Sequence, residues 1–191
     1  KLTGQGQPYE MAPATIGGVT FDVFTNAPPD LRELFRSSLA YQGLDFYVFQ
    51  DHRFTFQQTW EQAAGIANAL IGEGVKPGDR VAIAARNYPE WIFAFMGITS
   101  IGATAVCMNA WWTTDELDYG LRDCGARVVL VDAERLERLM PLLGALAPLG
   151  LRVVAVRTED AAGDLPGIDR WQHVLAPYAG AALPAAPVDA D

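Results

Sequence analysis

Apolar residues along the chain fall into two alternating spacings. Trp60, Ala63, Ala64, Ala67, Leu70 and Ile71 recur at offsets of three and four, the stripe of a helix docked on a sheet. Residues 81–85 are then continuously apolar, as in a strand buried on both faces. Residues 88–101 are apolar nearly all round, which predicts a deeply buried helix, and 103–108 predicts a strand. Leu117, Leu121 and Cys124 mark the inward face of another helix, and 127–131 another strand. Leu136, Leu139, Met140, Leu143 and Leu146 mark a further helix, which Pro141 should kink or interrupt, and 151–156 a further strand. Strands separated by helices predict an α/β fold, a mostly parallel sheet with helices on both faces.

Polar residues punctuate this pattern. Gly74 suits a helix end, and Pro77-Gly78-Asp79 a turn before the 80–85 strand. Four helix starts carry a capping-box spacing: Asp30 with Glu33, Thr55 with Gln58, Asn87 with Glu90, and Thr113 with Glu116. The first opens a helix whose apolar face is Leu31, Leu34, Phe35 and Leu39. Residues 46–49 and 53–56 read as an N-terminal β-hairpin around Gln50-Asp51-His52. Residues 1–29 read as an extended arm, because 1–19 show no periodicity. An α/β subdomain then spans 30–176, ending in polar turns and a short helix with Trp171 and Val174. The Ala/Pro-rich stretch 177–191 is a linker by composition.

The run Gly-Val-x-x-Gly-Asp-Arg-Val at 74–81, followed by Asn87-x-x-Glu90, resembles the N-terminal portion of adenylate-forming acyl-CoA synthetases, the AMP-binding or AMP-dependent synthetase and ligase family. Phe54-Thr55-Phe56, Gly102-Ala103 with Asn109, Glu116-Leu117 and Asp123-Cys124-Gly125-Ala126 resemble further motifs of that family, in order, over about 30–157. The family's Ser/Thr/Gly-rich phosphate loop with its lysine has no counterpart in this sequence. That loop offers backbone N–H groups to phosphates, and its glycines permit close approach. The resemblance therefore implies an amino-terminal piece of a longer ligase, truncated ahead of its chemistry and inactive alone.

Composition narrows the alternatives. A net charge of −9 and a pI near 4.6 argue against a nucleic-acid surface and against docking on anionic lipid. Residues 91–114 carry no charge before Asp115, long enough to mimic a membrane span. Gly97 and Gly102 break that stretch, and a buried helix followed by a buried strand gives the same hydropathy, so no span is expected. Cys107 and Cys124 read as small buried hydrophobes in a reducing, cytoplasmic compartment. His52 and His173 lie far apart, and no metal-ligand spacing is present. The first residues, Lys1-Leu2, carry no initiating methionine and no signal-peptide pattern, which reads as a trimmed start.

In parallel α/β sheets ligands sit beyond the carboxyl ends of strands. Two such ends are legible: Arg86-Asn87 and Asn109-Ala110-Trp111-Trp112. Trp111 and Trp112 are adjacent, so one should pack inward while the other covers a surface or ligand. The resemblance puts this loop near the route of coenzyme A or the acyl chain. The competing reading, that both indoles cap the sheet edge, is favoured by how often indole rings serve packing. Asp79-Arg80 reads as turn and strand start, and Asp132-Ala133-Glu134 as a helix cap. No catalytic residue is assigned to this chain.

The resemblance implies a parent enzyme that joins a carboxylic acid, fatty or aromatic, to AMP using ATP and Mg2+, then passes it to the thiol of coenzyme A. None of these cofactors is expected to bind the fragment alone. A stand-alone interaction module of the same fold is the alternative from another class, since fold does not fix function. A small doubly wound nucleotide-binding protein is a third. The Gly-x-Gly-x-x-Gly fingerprint is absent, and oligomeric state is left open.

Overall fold

Strand residues alternate strictly between two cores. The computed structural model, which describes residues 2–158 and 166–185, shows why. In β5 (Arg80–Ala84), β7 (Val128–Asp132) and β8 (Arg152–Val156), Val81, Ile83, Val128, Leu130 and Val154 face one helical layer. Ala82, Ala84, Val129, Val131, Val153 and Ala155 face the other. A period of two thus turns one apolar run into two buried surfaces.

Ahead of this sheet, in chain order, come β1 (Met11–Ile16), β2 (Val19–Phe24), α1 (Leu31–Ser37), β3 (Asp45–Phe49), β4 (His52–Thr55) and α2 (Phe56–Gly72). After β5 come α3 (Pro89–Thr99), β6 (Thr104–Cys107), α4 (Thr114–Cys124), β7, α5 (Ala133–Leu139) and α6 (Leu143–Leu146). The chain continues through β8, β9 (Ile168–Arg170) and α7 (Trp171–Leu175). The five-stranded sheet runs β6-β5-β7-β8-β9, and every pair in it is parallel. Helices α2, α3 and α7 pack on one face, and α4, α5 and α6 on the other. β3 pairs antiparallel with β4 as the expected hairpin, and Arg53 of β4 also pairs with Asp45 of β3.

The sequence-based expectations mostly stand, with corrections that have physical causes. The supposed arm at 1–29 contains an antiparallel hairpin, β1 with β2, turned by Gly17 and Gly18 at φ 56° and 81°. Such a hairpin hides in the sequence because Pro13 interrupts its alternation and glycine marks only the turn. Helix α3 is capped by Tyr88, without the expected Asn87–Glu90 box. Pro89 at the first helical position presets the helix, and Glu90 instead pairs with Arg157. Phe93 and Ile98 are core, but Phe95 is only half-buried, stacked on Trp91 and edge-on to Phe35. Leu31 and Leu34 remain exposed while Phe35 and Leu39 are half-buried, so the apolar face expected of α1 is only partly covered. Cys107 is exposed and Cys124 half-buried, so neither is the fully buried hydrophobe expected. Cys107 lies on β6, which among the described residues is an edge strand with a neighbour on one flank only. Pro141 does interrupt its helix, leaving a 3₁₀ turn at 140–142 between α5 and α6. Strand β9, three residues long, was legible only as polar turns. The predicted linker 177–191 is described only as far as 185, and the 159–165 part of the predicted turns lies outside the described residues.

Candidate functional site

The site is built where the chain changes face. After β5 the chain turns to α3 on one face of the sheet; after β6 it turns to α4 on the opposite face. Neighbouring loops that part in this way open a crevice at the strands' carboxyl ends. Here the crevice is a groove of about 490 Å³ lined by Phe49, Arg86, Asn87, Tyr88, Ala110 and Trp111. Both strand ends singled out from sequence therefore meet in one place.

One wall is the loop after β6. Asn109 folds it by accepting a hydrogen bond on Oδ1 from the Trp111 N–H at 2.9 Å. That turn sends the two indoles apart, as adjacency required. Trp111 is 68% exposed, and the Arg86 guanidinium lies 4.7 Å from its ring centroid. Trp112 turns inward and packs over Gly120 of α4, where a methyl group would stand 2.6 Å from the ring. The glycine makes room for the indole.

The other wall comes from the β3–β4 hairpin and the start of α3. Phe49 and Tyr88 meet edge to face at 5.6 Å. The Arg157 guanidinium lies over both rings, 4.9 Å from Phe49 and 4.7 Å from Tyr88. Its Nε donates to Glu90 Oε2 at 3.0 Å. Arg157 has φ 53°, a left-handed conformation that a non-glycine residue holds only when its surroundings enforce it. Tyr47 Oη donates to the Asn87 carbonyl at 3.2 Å, tying the hairpin to the groove.

Beneath the loops lies a buried ion pair that sequence reading missed. Asp132 caps α5 as expected, accepting on Oδ1 from the Arg135 N–H at 3.0 Å. Its Oδ2 also accepts from the Arg86 N–H at 2.8 Å. The Arg135 guanidinium, buried to 1% exposure, donates through Nη1 to both Asp132 oxygens at 3.0 and 2.9 Å. Its Nε donates to the Ala110 carbonyl at 2.7 Å. Nη2 lies 3.0 Å from Glu134 Oε2 but outside hydrogen-bond geometry, so that contact is ionic only. Arg138 adds bonds to the Ala110 and Trp112 carbonyls at 3.3 and 2.8 Å. The available signal was position: Arg135 lies four residues before Leu139 on the inward stripe, and a charge there demands a partner.

Asp79 and Arg80 stand at the amino end of β5, away from this groove. Asp79 Oδ2 accepts from the Lys76 N–H, and Arg80 donates to the carbonyls of Cys124 and Gly125, so both serve the turn. Among the described residues no cluster of three or more His, Cys, Asp or Glu could hold a metal ion. No helix among the described residues is long and apolar enough to cross a membrane.

The profile of the AMP-binding enzyme family matches residues 34–190. The chain belongs to that family. Among curated AMP-binding relatives, 4-coumarate–CoA ligase 3 of Arabidopsis thaliana is 26% identical over 71% of this chain and 28% of its own length. Feruloyl-CoA synthase of an Amycolatopsis species is 35% identical over 59% of this chain and 22% of its own length. The solved anthranilate–CoA ligase AuaEII, in complex with anthranoyl-AMP, matches with a TM-score of 0.69 and 27% identity over 80% of this chain and 29% of that one. The chain thus spans between a fifth and a third of each of these ligases.

Proposed function

We propose that this chain is the part of an ATP-dependent carboxylate–CoA ligase that builds one wall of the channel for the acid or for coenzyme A. Membership of the AMP-binding enzyme family carries this reading, and the groove at the carboxyl ends of β5 and β6 supplies its place. Trp111 is the residue assigned to the channel. Trp112 supports it from below rather than touching ligand, a narrower role than the sequence assigned it. The parent reaction joins the carboxylate to AMP with release of pyrophosphate. The coenzyme A thiol then displaces AMP to give the thioester. ATP and Mg2+ belong to parts of the enzyme that carry a phosphate loop, and the protein's contribution is positioning and charge stabilisation. An apolar acid fits the aromatic lining, and the parent enzyme is placed in the cytoplasm.

The test compares this chain with its full-length parent. Each is incubated with ATP, Mg2+, coenzyme A and a panel of fatty acids, coumarate, ferulate and anthranilate. Pyrophosphate and thioester are measured. The parent is expected to turn over at least one acid and the 191-residue chain none. A parent that releases no pyrophosphate with any acid would favour the non-catalytic module.

A further inference from the structure

The carboxyl ends of β5, β6 and β7 reach the groove from three separate stretches of sequence, and nothing in a parallel sheet sets their loops relative to one another. One buried pair does so here. Asp132, at the end of β7, holds the Arg86 N–H at the end of β5, and its partner Arg135 holds the Ala110 carbonyl beyond β6. Of the two residues that touch across the groove mouth, Arg86 makes the first of those bonds and Trp111 directly follows the second.

We propose that Arg135 is a positioning residue: bridging Asp132 to the Ala110 carbonyl, it sets the height of the 109–112 loop and so the placement of Trp111 beside Arg86. This rests on the reading of the groove as the ligand channel. Four geometric facts carry it. Arg135 is 1% exposed, so its charge is desolvated and its partners are obligatory. The guanidinium spends Nη1 on the carboxylate and Nε on the loop carbonyl, a fork that a single ammonium does not reproduce. Asp132 retains two backbone donors, from Arg86 and Arg135, when the guanidinium is removed, so its charge is not left bare. Asp132 takes the Arg86 N–H and Arg135 takes the Ala110 carbonyl, so the pair together, and neither side chain alone, joins the ends of all three strands.

The chain is labelled with 5-fluorotryptophan, and the Trp111 resonance is identified by its loss in Trp111→Phe. Arg135→Met and Arg135→Lys are each expected to shift or broaden that resonance, with the signals of Trp60 and Trp91 unchanged. Lysine is expected not to rescue. If Arg135→Met does not melt cooperatively, Asp132→Asn, which keeps the shape and one acceptor, carries the same measurement. An unmoved Trp111 resonance in a folded variant overturns the proposal, as does full rescue by lysine. In the full-length enzyme the same variants are expected to raise KM for one substrate about tenfold while kcat changes less than about threefold. A moved resonance with both KM values unchanged leaves the positioning role standing and removes the groove as the ligand channel.

Discussion

Two neighbouring indoles take opposite roles because of one glycine and one asparagine. Gly120 gives Trp112 a seat on α4, and Asn109 turns the loop so that Trp111 points out. Trp112→Ala should therefore cost at least about 2 kcal/mol, as a large apolar side chain leaves a packed seat. Trp111→Ala should stay within about 0.5 kcal/mol of the native protein, as for a surface change. Paired denaturant melts check both, and equal losses would place both rings in the packing. At this scale the sequence showed that two adjacent rings must diverge, but not which goes inward. That choice depends in part on a contact with residue 120, eight positions beyond Trp112, which no local pattern announces. Cys107 shows the converse case: its apolar neighbours in sequence disguised an edge position, which only strand order reveals. Surrounding protein still raises its thiol pKa above the usual value by desolvation, so solvent contact does not make it reactive. Slow alkylation of Cys107 near neutral pH, relative to a free thiol, is the expected result.

Helix starts were the most legible elements, because a capping box is written in four consecutive residues. Thr55 with Gln58 and Thr113 with Glu116 form complete reciprocal boxes. Asp30 accepts from the Glu33 N–H, but Glu33 turns to Arg36 instead of closing the box. The box at Asn87 failed because Pro89 presets the next helical turn one residue later. At α4 the bond from the Thr113 N–H, then that from its hydroxyl, lowers the Glu116 pKa from its ordinary value. A carboxyl with a depressed folded pKa stabilises the protein fully above its unfolded pKa. That contribution fades as pH falls through the folded value. The stability difference between native protein and Glu116→Gln should therefore be present at pH 7 and shrink below about pH 4. Melts across that range check it; a difference independent of pH would mean the carboxylate does not cap. The sheet order was less legible than its strands: period-two apolar runs identify buried strands, but only contacts between distant runs put β5 between β6 and β7.

For the whole molecule, the parallel sheet is a self-contained unit and the first hairpin an appendage. The ladder of β1 and β2 joins neither β3–β4 nor the five-stranded sheet. Val19 and Phe21 lie across from Ile16 and Ala14, and these apolar side chains are half-exposed to exposed. Deleting residues 2–27 should leave the melting temperature within about 2 °C, because little buried area leaves with them. A drop of 10 °C would show the hairpin to be part of the core. The hairpin was illegible because its turn glycines look like loop composition, and its strands have no buried face to enforce alternation.

The buried pair of Asp132 and Arg135 also has a kinetic meaning. Asp132 and Arg135 meet locally at the start of α5, but their bonds to residues 86 and 110 need β5, β6 and β7 lined up. Those two non-local bonds are expected to form late in folding, after the strands that carry them have paired. Interactions absent from the folding transition state govern how fast the native state opens, not how fast it forms. Arg135→Met should therefore accelerate unfolding by at least about tenfold and leave the refolding rate within about twofold, as the two arms of a denaturant chevron would read. The groove would then be both the last part of the molecule to close and the first to be lost.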